Sequence, residues 1–255
     1  MRNAVLIFVV VAGLATLAYG RPFDTPQQGA VAIESMSVAQ LEAAGDQCRA
    51  QKDYEQAIKY FKAALRKEGK NAKLYNKLGL AELSSADYAA ARSDFGKAVK
   101  YDKHYPEAWN DLGVVYYLQR EYVPATRYFS KAIALNDTRA SFHVNLATTW
   151  FTMNQMDRAM HEYTRALELD PDALVRSSNS GMAAQIASRE ERAKQDYMLA
   201  KVFAKLGNVD SCLICLKKAK DDGYPDLPNV YKDQEFSGVR QDARLATIVP
   251  PPAPK

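Results

Sequence analysis

From Val38 onward the chain repeats itself every 34 residues, and the spans 38–71, 72–105, 106–139 and 140–173 align without a gap. A fixed period of this length dictates the architecture, because each repeat is one supersecondary unit that cannot bury its apolar face alone. Within each unit the eighth position is small (Gly45, Gly79, Gly113, Ala147), and the twentieth is always alanine (Ala57, Ala91, Ala125, Ala159). The twenty-seventh is alanine as well (Ala64, Ala98, Ala132, Ala166). Between these alanines the twenty-fourth position is a large aromatic (Phe61, Phe95, Phe129, Tyr163), and the seventeenth is Tyr54, Tyr88, Tyr122 and Met156.

This spacing describes two helices, A and B, packed face to face. Small side chains at positions 8, 20 and 27 let the backbones approach, and the aromatic at position 24 fills the space toward the next pair. Leu78, Leu112 and Leu146, with Trp109, Tyr116 and Trp150, complete the expected core. The predicted fold class is all-α, a solenoid of stacked helix pairs. Pro124 looks misplaced in "EYVPATRYFSKAIALN" until helix B is started near Glu121. Proline then falls in the first turn, where backbone N–H groups lack intrahelical acceptors. Asp53, Asp87 and Asn208 stand as caps at the same junction, and Ser37 with Gln40 forms a capping box ahead of the first helix.

The flanks differ. Residues 1–20, "MRNAVLIFVVVAGLATLAYG", carry a basic start, an apolar run and small residues placed as in a cleavage site, which predicts an export signal. The alternative is an uncleaved membrane anchor formed by residues 4–20, although the run is at the short limit for spanning. Residues 21–37 read as a flexible linker, and 174–192 as an insertion that begins with turn-rich "RSSNSG" and holds a second capping box at Ser188 and Glu191. A fifth, degenerate unit is expected at 193–220, with Cys212 in place of the position-20 alanine. Residues 221–249 should close the array with short helices, Phe236, Val239, Leu245 and Ile248 covering its last face. The proline-rich end, 250–255, is expected to be disordered.

Chemistry is sparse. The composition, 47% hydrophobic and 25% charged, is that of a folded globular chain, and the net charge of +4 is interspersed rather than gathered into a phosphate-binding patch. Nucleic acid is therefore excluded as the expected partner. The three histidines are scattered, with no pair at metal-ligand spacing, and no catalytic or phosphate-cradling motif is present. No catalytic residue, metal site or cofactor is predicted. "CLIC" (Cys212, Cys215) is open to three readings: buried packing, a disulfide or redox pair, and half a metal site.

"AWNDLGVVYYLQREYVPATRYFSKAIALND" (108–137) and "DRAMHEYTRALELDP" (157–171) resemble the tetratricopeptide repeat family, and the resemblance spans 38–173. It implies an α-α superhelix whose concave face commonly binds peptides or protein segments. Carrying the family's concave helix-A positions onto this chain gives Lys73, Asn76, Lys77, Leu80 and Leu83 in unit two. Unit three gives Asn110, Asp111, Val114, Tyr117 and Leu118, and unit four gives Val144, Asn145, Thr148 and Phe151. Here the asparagines would meet an extended backbone, and Leu80, Val114, Tyr117 and Phe151 would offer apolar pockets. The family's carboxylate clamp is not expected, because Glu42, Asp46, Glu107 and Asp111 carry the wrong charge for it. The expected function is a noncatalytic, exported scaffold, periplasmic or secreted, that holds a segment of another protein in cell-envelope assembly. The alternatives are a homo-oligomeric spacer and, last, a thiol redox protein using the 212–215 pair. A membrane is a partner only if the N-terminal segment stays uncleaved.

Overall fold

The computed structural model describes residues 33–177 and 188–252, so the expected signal at 1–20, most of the linker and most of the insertion lie outside the described residues. The helices run in pairs: α1 (Val38–Ala50) with α2 (Tyr54–Lys67), α3 (Ala72–Ser84) with α4 (Tyr88–Tyr101), α5 (Pro106–Leu118) with α6 (Tyr122–Leu135), and α7 (Ala140–Thr152) with α8 (Met156–Leu169). A short α9 (Ala173–Ser177) follows, then the pair α10 (Arg189–Lys205) and α11 (Val209–Asp221). Two 3-10 turns (Leu227–Tyr231, Gln234–Phe236) and α12 (Ala243–Ile248) end the chain. Among the described residues there is no strand. Each A helix packs on its own B helix, and through unit four each B helix packs on the next A, which makes an all-α solenoid.

The A-to-B turn has one geometry throughout. Lys52, Ala86, Arg120, Asn154 and Gly207 all take φ between 60° and 72°. One residue later, the N–H of Asp53, Asp87, Glu121, Gln155 or Asn208 donates back to a helix-A carbonyl, on Cys48, Glu82, Tyr116, Trp150 or Phe203 respectively, at 2.8–2.9 Å. This is the Schellman closure of helix A. The donor residue is also the N-cap of helix B. One residue thus ends one helix and starts the next. Pro124 is the third residue of α6, inside the first turn.

Close approach explains the position-8 residues. A Cβ built on Gly45, Gly79 or Gly113 would lie 2.6–2.7 Å from the ring of Phe61, Phe95 or Phe129. Each of these rings is fully buried against the facing glycine backbone. In unit four the corresponding residues are Ala147 and Tyr163, both buried.

The seam between helices A and B varies at positions 11 and 23. In unit three these are Tyr116 and Tyr128, stacked at 4.9 Å, with the Arg92 guanidinium 4.1 Å over Tyr116. In unit two they are Glu82 and Asp94, only 2% and 5% exposed. Burial, with the Asp94 carboxylate beside it, pushes Glu82 up to about 7. Lys62 of α2 stands 3.4 Å from Glu82 and Lys97 of α4 2.6 Å from Asp94, while Glu82 Oε2 finds no hydrogen-bond partner in the protein.

Both ends of the array are covered. Ile33 and Met36 pack on the first unit, tied down by Lys67, whose Nζ donates to the Glu34 and Met36 carbonyls at 2.8 and 2.6 Å. At the other end Phe236, Val239 and Leu245 are buried against α11, and Ile248 packs beside them. Helix α10 starts at Arg189 with the Ser188–Glu191 capping box and runs 17 residues, against 13 for the other A helices.

Three outcomes are expected. Gly79→Ala drives a methyl into the Phe95 ring and should cost about 1–3 kcal/mol in chemical denaturation. Ala86→Gly relieves a left-handed alanine and should add about 0.5–1 kcal/mol, seen as a higher thermal midpoint. Glu82 binds its proton more tightly folded than unfolded, so its contribution is intact below about pH 4.5 and is lost as pH rises through about 7. Glu82→Gln should therefore raise stability at pH 8 by roughly 2–3 kcal/mol and flatten its fall between pH 5 and 8.

Candidate functional site

The concave side is built by the A helices, where the 34-residue register repeats the same positions. Its first half is an ionic cluster. Lys77 pairs with Glu42 at 2.6 Å and with Asp46, and the exposed Lys73 reaches Glu42 at 3.5 Å. The hydrogen bond from Lys77 holds the Glu42 carboxyl below its ordinary value.

Next to it runs a ladder of amides. Asn76 Nδ2 donates to Asp111 Oδ2 at 3.0 Å, Asn110 Nδ2 to Asp111 Oδ1 at 3.1 Å, and Asn145 Nδ2 to Asn110 Oδ1 at 2.8 Å. The ladder ties units two, three and four together through their inner helices. Burial pushes Asp111 up to about 6, in spite of the Asn76 and Asn110 hydrogen bonds and the nearby Arg49. Three buried polar atoms here find no partner in the protein: Asn76 Oδ1, Asp46 Oδ1 and Arg49 Nε.

The fourteen expected residues divide by exposure. Asn76, Asn110, Tyr117, Val144, Asn145, Thr148 and Phe151 are buried. Tyr117 and Phe151, expected as pocket walls, are themselves closed over. The Tyr117 hydroxyl meets Thr152 Oγ1 at 3.0 Å, and Phe151 packs with Val144, Met198 and Val202. Thr148 Oγ1 donates to the Val144 carbonyl and lies 2.9 Å from the Tyr163 hydroxyl. Short helix α9 adds Ala173 to the apolar cluster around Val144, so part of the fourth unit is covered by the chain itself. Lys73 is exposed, and Lys77, Leu80, Leu83, Asp111, Val114 and Leu118 are partly open. The accessible part of the groove is therefore the stretch across units two and three.

Two units were left out when the concave positions were carried over from the sequence. Glu42, Asp46 and Arg49 occupy concave positions 5, 9 and 12 of the first unit, and their own register was signal enough. Lys194, Tyr197, Met198 and Lys201 fill positions 2, 5, 6 and 9 of the fifth. The fifth unit was expected at 193–220, but its concave positions were not carried over, and the left-handed turn at Gly207 agrees with that count.

The remaining reactive groups are packed. Cys212 and Cys215 are free, buried thiols that burial pushes up to about 12, which removes the thiolate needed for exchange. His143 is buried, Nδ1 2.7 Å from Glu162 Oε2 and Nε2 3.1 Å from the Asp137 carbonyl. Among the described residues no cluster of His, Cys, Asp or Glu has the makings of a metal site, and no helix is long and apolar enough to cross a membrane.

Comparison with known proteins agrees with this geometry. A family model described as tetratricopeptide repeat matches residues 43–85 and 76–140, and a second of the same description matches 140–173. Together they span just over half of the chain. No curated protein matches. Among solved structures, MamA is similar at 20% identity and a TM-score of 0.52, covering 77% of this chain and 95% of that one. A MamA fragment, residue 41 to the end, from Desulfovibrio magneticus RS-1 is similar at 16% and 0.52, covering 72% and 93%. YrrB, described as a TPR protein with an unusual peptide-binding site, is similar at 18% and 0.51, covering 82% and 98%. At such identities the likeness speaks for the fold, and with the matched repeats it makes the chain a member of the tetratricopeptide repeat family.

Proposed function

We propose that this protein is a noncatalytic scaffold that holds an extended segment of another protein along the concave face of its first three units. The observation that carries this reading is the polar stretch left open there, with Lys73 exposed and Lys77 and Asp111 partly open. Beside them Leu80, Leu83 and Val114 remain partly open, an apolar strip next to the polar row. The peptide-binding site reported for YrrB supports the reading by analogy of fold.

The leader-like residues 1–20 support a place outside the cytoplasm, periplasmic or secreted, where such a scaffold would serve envelope assembly. The spacer alternative is less favoured, because both ends of the solenoid are covered by the chain's own segments rather than left bare for stacking.

The test is crosslinking capture from source cells with the full chain tagged at its C-terminus, beside a Lys73→Glu, Val114→Gln variant of equal helicity. The expected result is a captured protein whose yield falls at least fivefold in the variant. Equal capture by both forms would overturn the concave-face assignment, and a multimeric mass in gel filtration without any partner would favour the spacer.

A further inference from the structure

The concave positions of the fifth unit open into something the other units lack. Through unit four each A helix meets the next, α1 with α3, α3 with α5 and α5 with α7. Beyond α10 there is no further repeat, and the segment 224–235 folds back instead. A cleft of about 300 Å³ is left between α8, α10 and that segment.

Its lining has a distinct chemistry. Met156, Met160 and Met198 form an apolar floor, Met156 and Met160 one turn apart on α8. Thioether side chains are unbranched and polarizable, and adapt to differently shaped guests. One wall is Tyr197 stacked on Tyr224, ring centroids 4.5 Å apart. An apolar cavity of about 150 Å³ accommodates a benzene ring, so this volume admits a large aromatic side chain.

The mouth is acidic in effect. Lys201 is held by Asp233 at 2.8 Å and Glu235 at 3.6 Å, its ammonium over the Tyr197 ring, and Lys194 donates to Asn154 Oδ1 at 2.6 Å. The Tyr197 hydroxyl donates to Asp233 as well. Both cations are thus engaged inside the protein, while Asp157 stands exposed in the first turn of α8. Three carboxylates against two ammonium groups leave the lining at −1.

We propose that this cleft is a second anchor point of the scaffold, set beyond the covered fourth unit and apart from the open stretch across units two and three; it rests on the scaffold reading above. It takes a large aromatic side chain from the bound protein segment, followed by a basic residue that meets Asp157 and Glu235. The aromatic ring buries against the methionines and the Tyr197–Tyr224 stack. The partner's cation supplies the charge that the lining lacks.

The probe is a fluorescein-labelled peptide, Gly-Ser-Gly-Trp-Arg-Gly-Ser-Gly, with Trp-Glu and Ala-Arg counterparts, titrated with the full chain by anisotropy. The Trp-Arg peptide is expected to bind at least tenfold more tightly than either counterpart. Met160→Gln and Asp157→Asn should each weaken it fivefold or more, and the exposed position of Asp157 keeps that variant folded. Equal binding of the three peptides, or Trp-Arg binding unchanged in both variants, would overturn the anchor. Partner capture that survives Met160→Gln and Asp157→Asn but is lost in Lys73→Glu, Val114→Gln would also overturn it, and would leave the concave-face reading standing.

Discussion

The contact between a helix-A glycine and a helix-B phenylalanine ring is the constraint on which the array rests. With no room for a methyl between Gly79 and Phe95, the two backbones sit at one separation, and the same holds at Gly45–Phe61 and Gly113–Phe129. Interiors pack at near-crystalline density, so a fixed separation in each pair also fixes the angle at which it meets the next. Everything on the inner surface inherits that spacing. The amide ladder joins residues 35 apart, one more than the period, because each inner helix meets its neighbour shifted by a single position.

The polar inner face and the apolar seam do different work. Alanines and phenylalanines are interchangeable between units and supply burial, whereas the inner helices carry side chains particular to their unit. Unit one is acidic, unit two basic, and unit three holds an acid that burial keeps close to neutral pH. The charges of units one and two are paired with each other, Lys77 with Glu42 and Asp46, which fixes the order of the two units. Tolerance of a buried acid pair at Glu82 and Asp94, where unit three has two tyrosines, shows that the seam accepts different chemistry once the glycine contact is made.

The repeat was legible because its restraints are local. Glycine, alanine and aromatic positions recur in the chain as they recur in space, and Pro124 is explained by its place in the first turn of α6. The concave residues were legible as positions but not as surfaces. Asn110 and Asn145 looked like free amides, and only the packing of successive inner helices shows that they are spent on each other and on Asp111. Phe151 looked like a pocket wall, yet Met198 and Val202, from beyond the insertion, lie against it. Contacts made across an interruption of the period have no signature in either stretch alone.

The turn inside each unit leaves no slack. Because Asp87 both closes α3 and caps α4, adding or removing a residue there would cost a helix terminus on each side and swing one helix around the other. The connection between units carries no such double duty. Growth of the chain is thus confined to the joints between pairs, and the longest interruption of the array, residues 174–192, falls at one of them. New surface enters this architecture as inserts between repeats, while the turn inside each pair stays fixed in length.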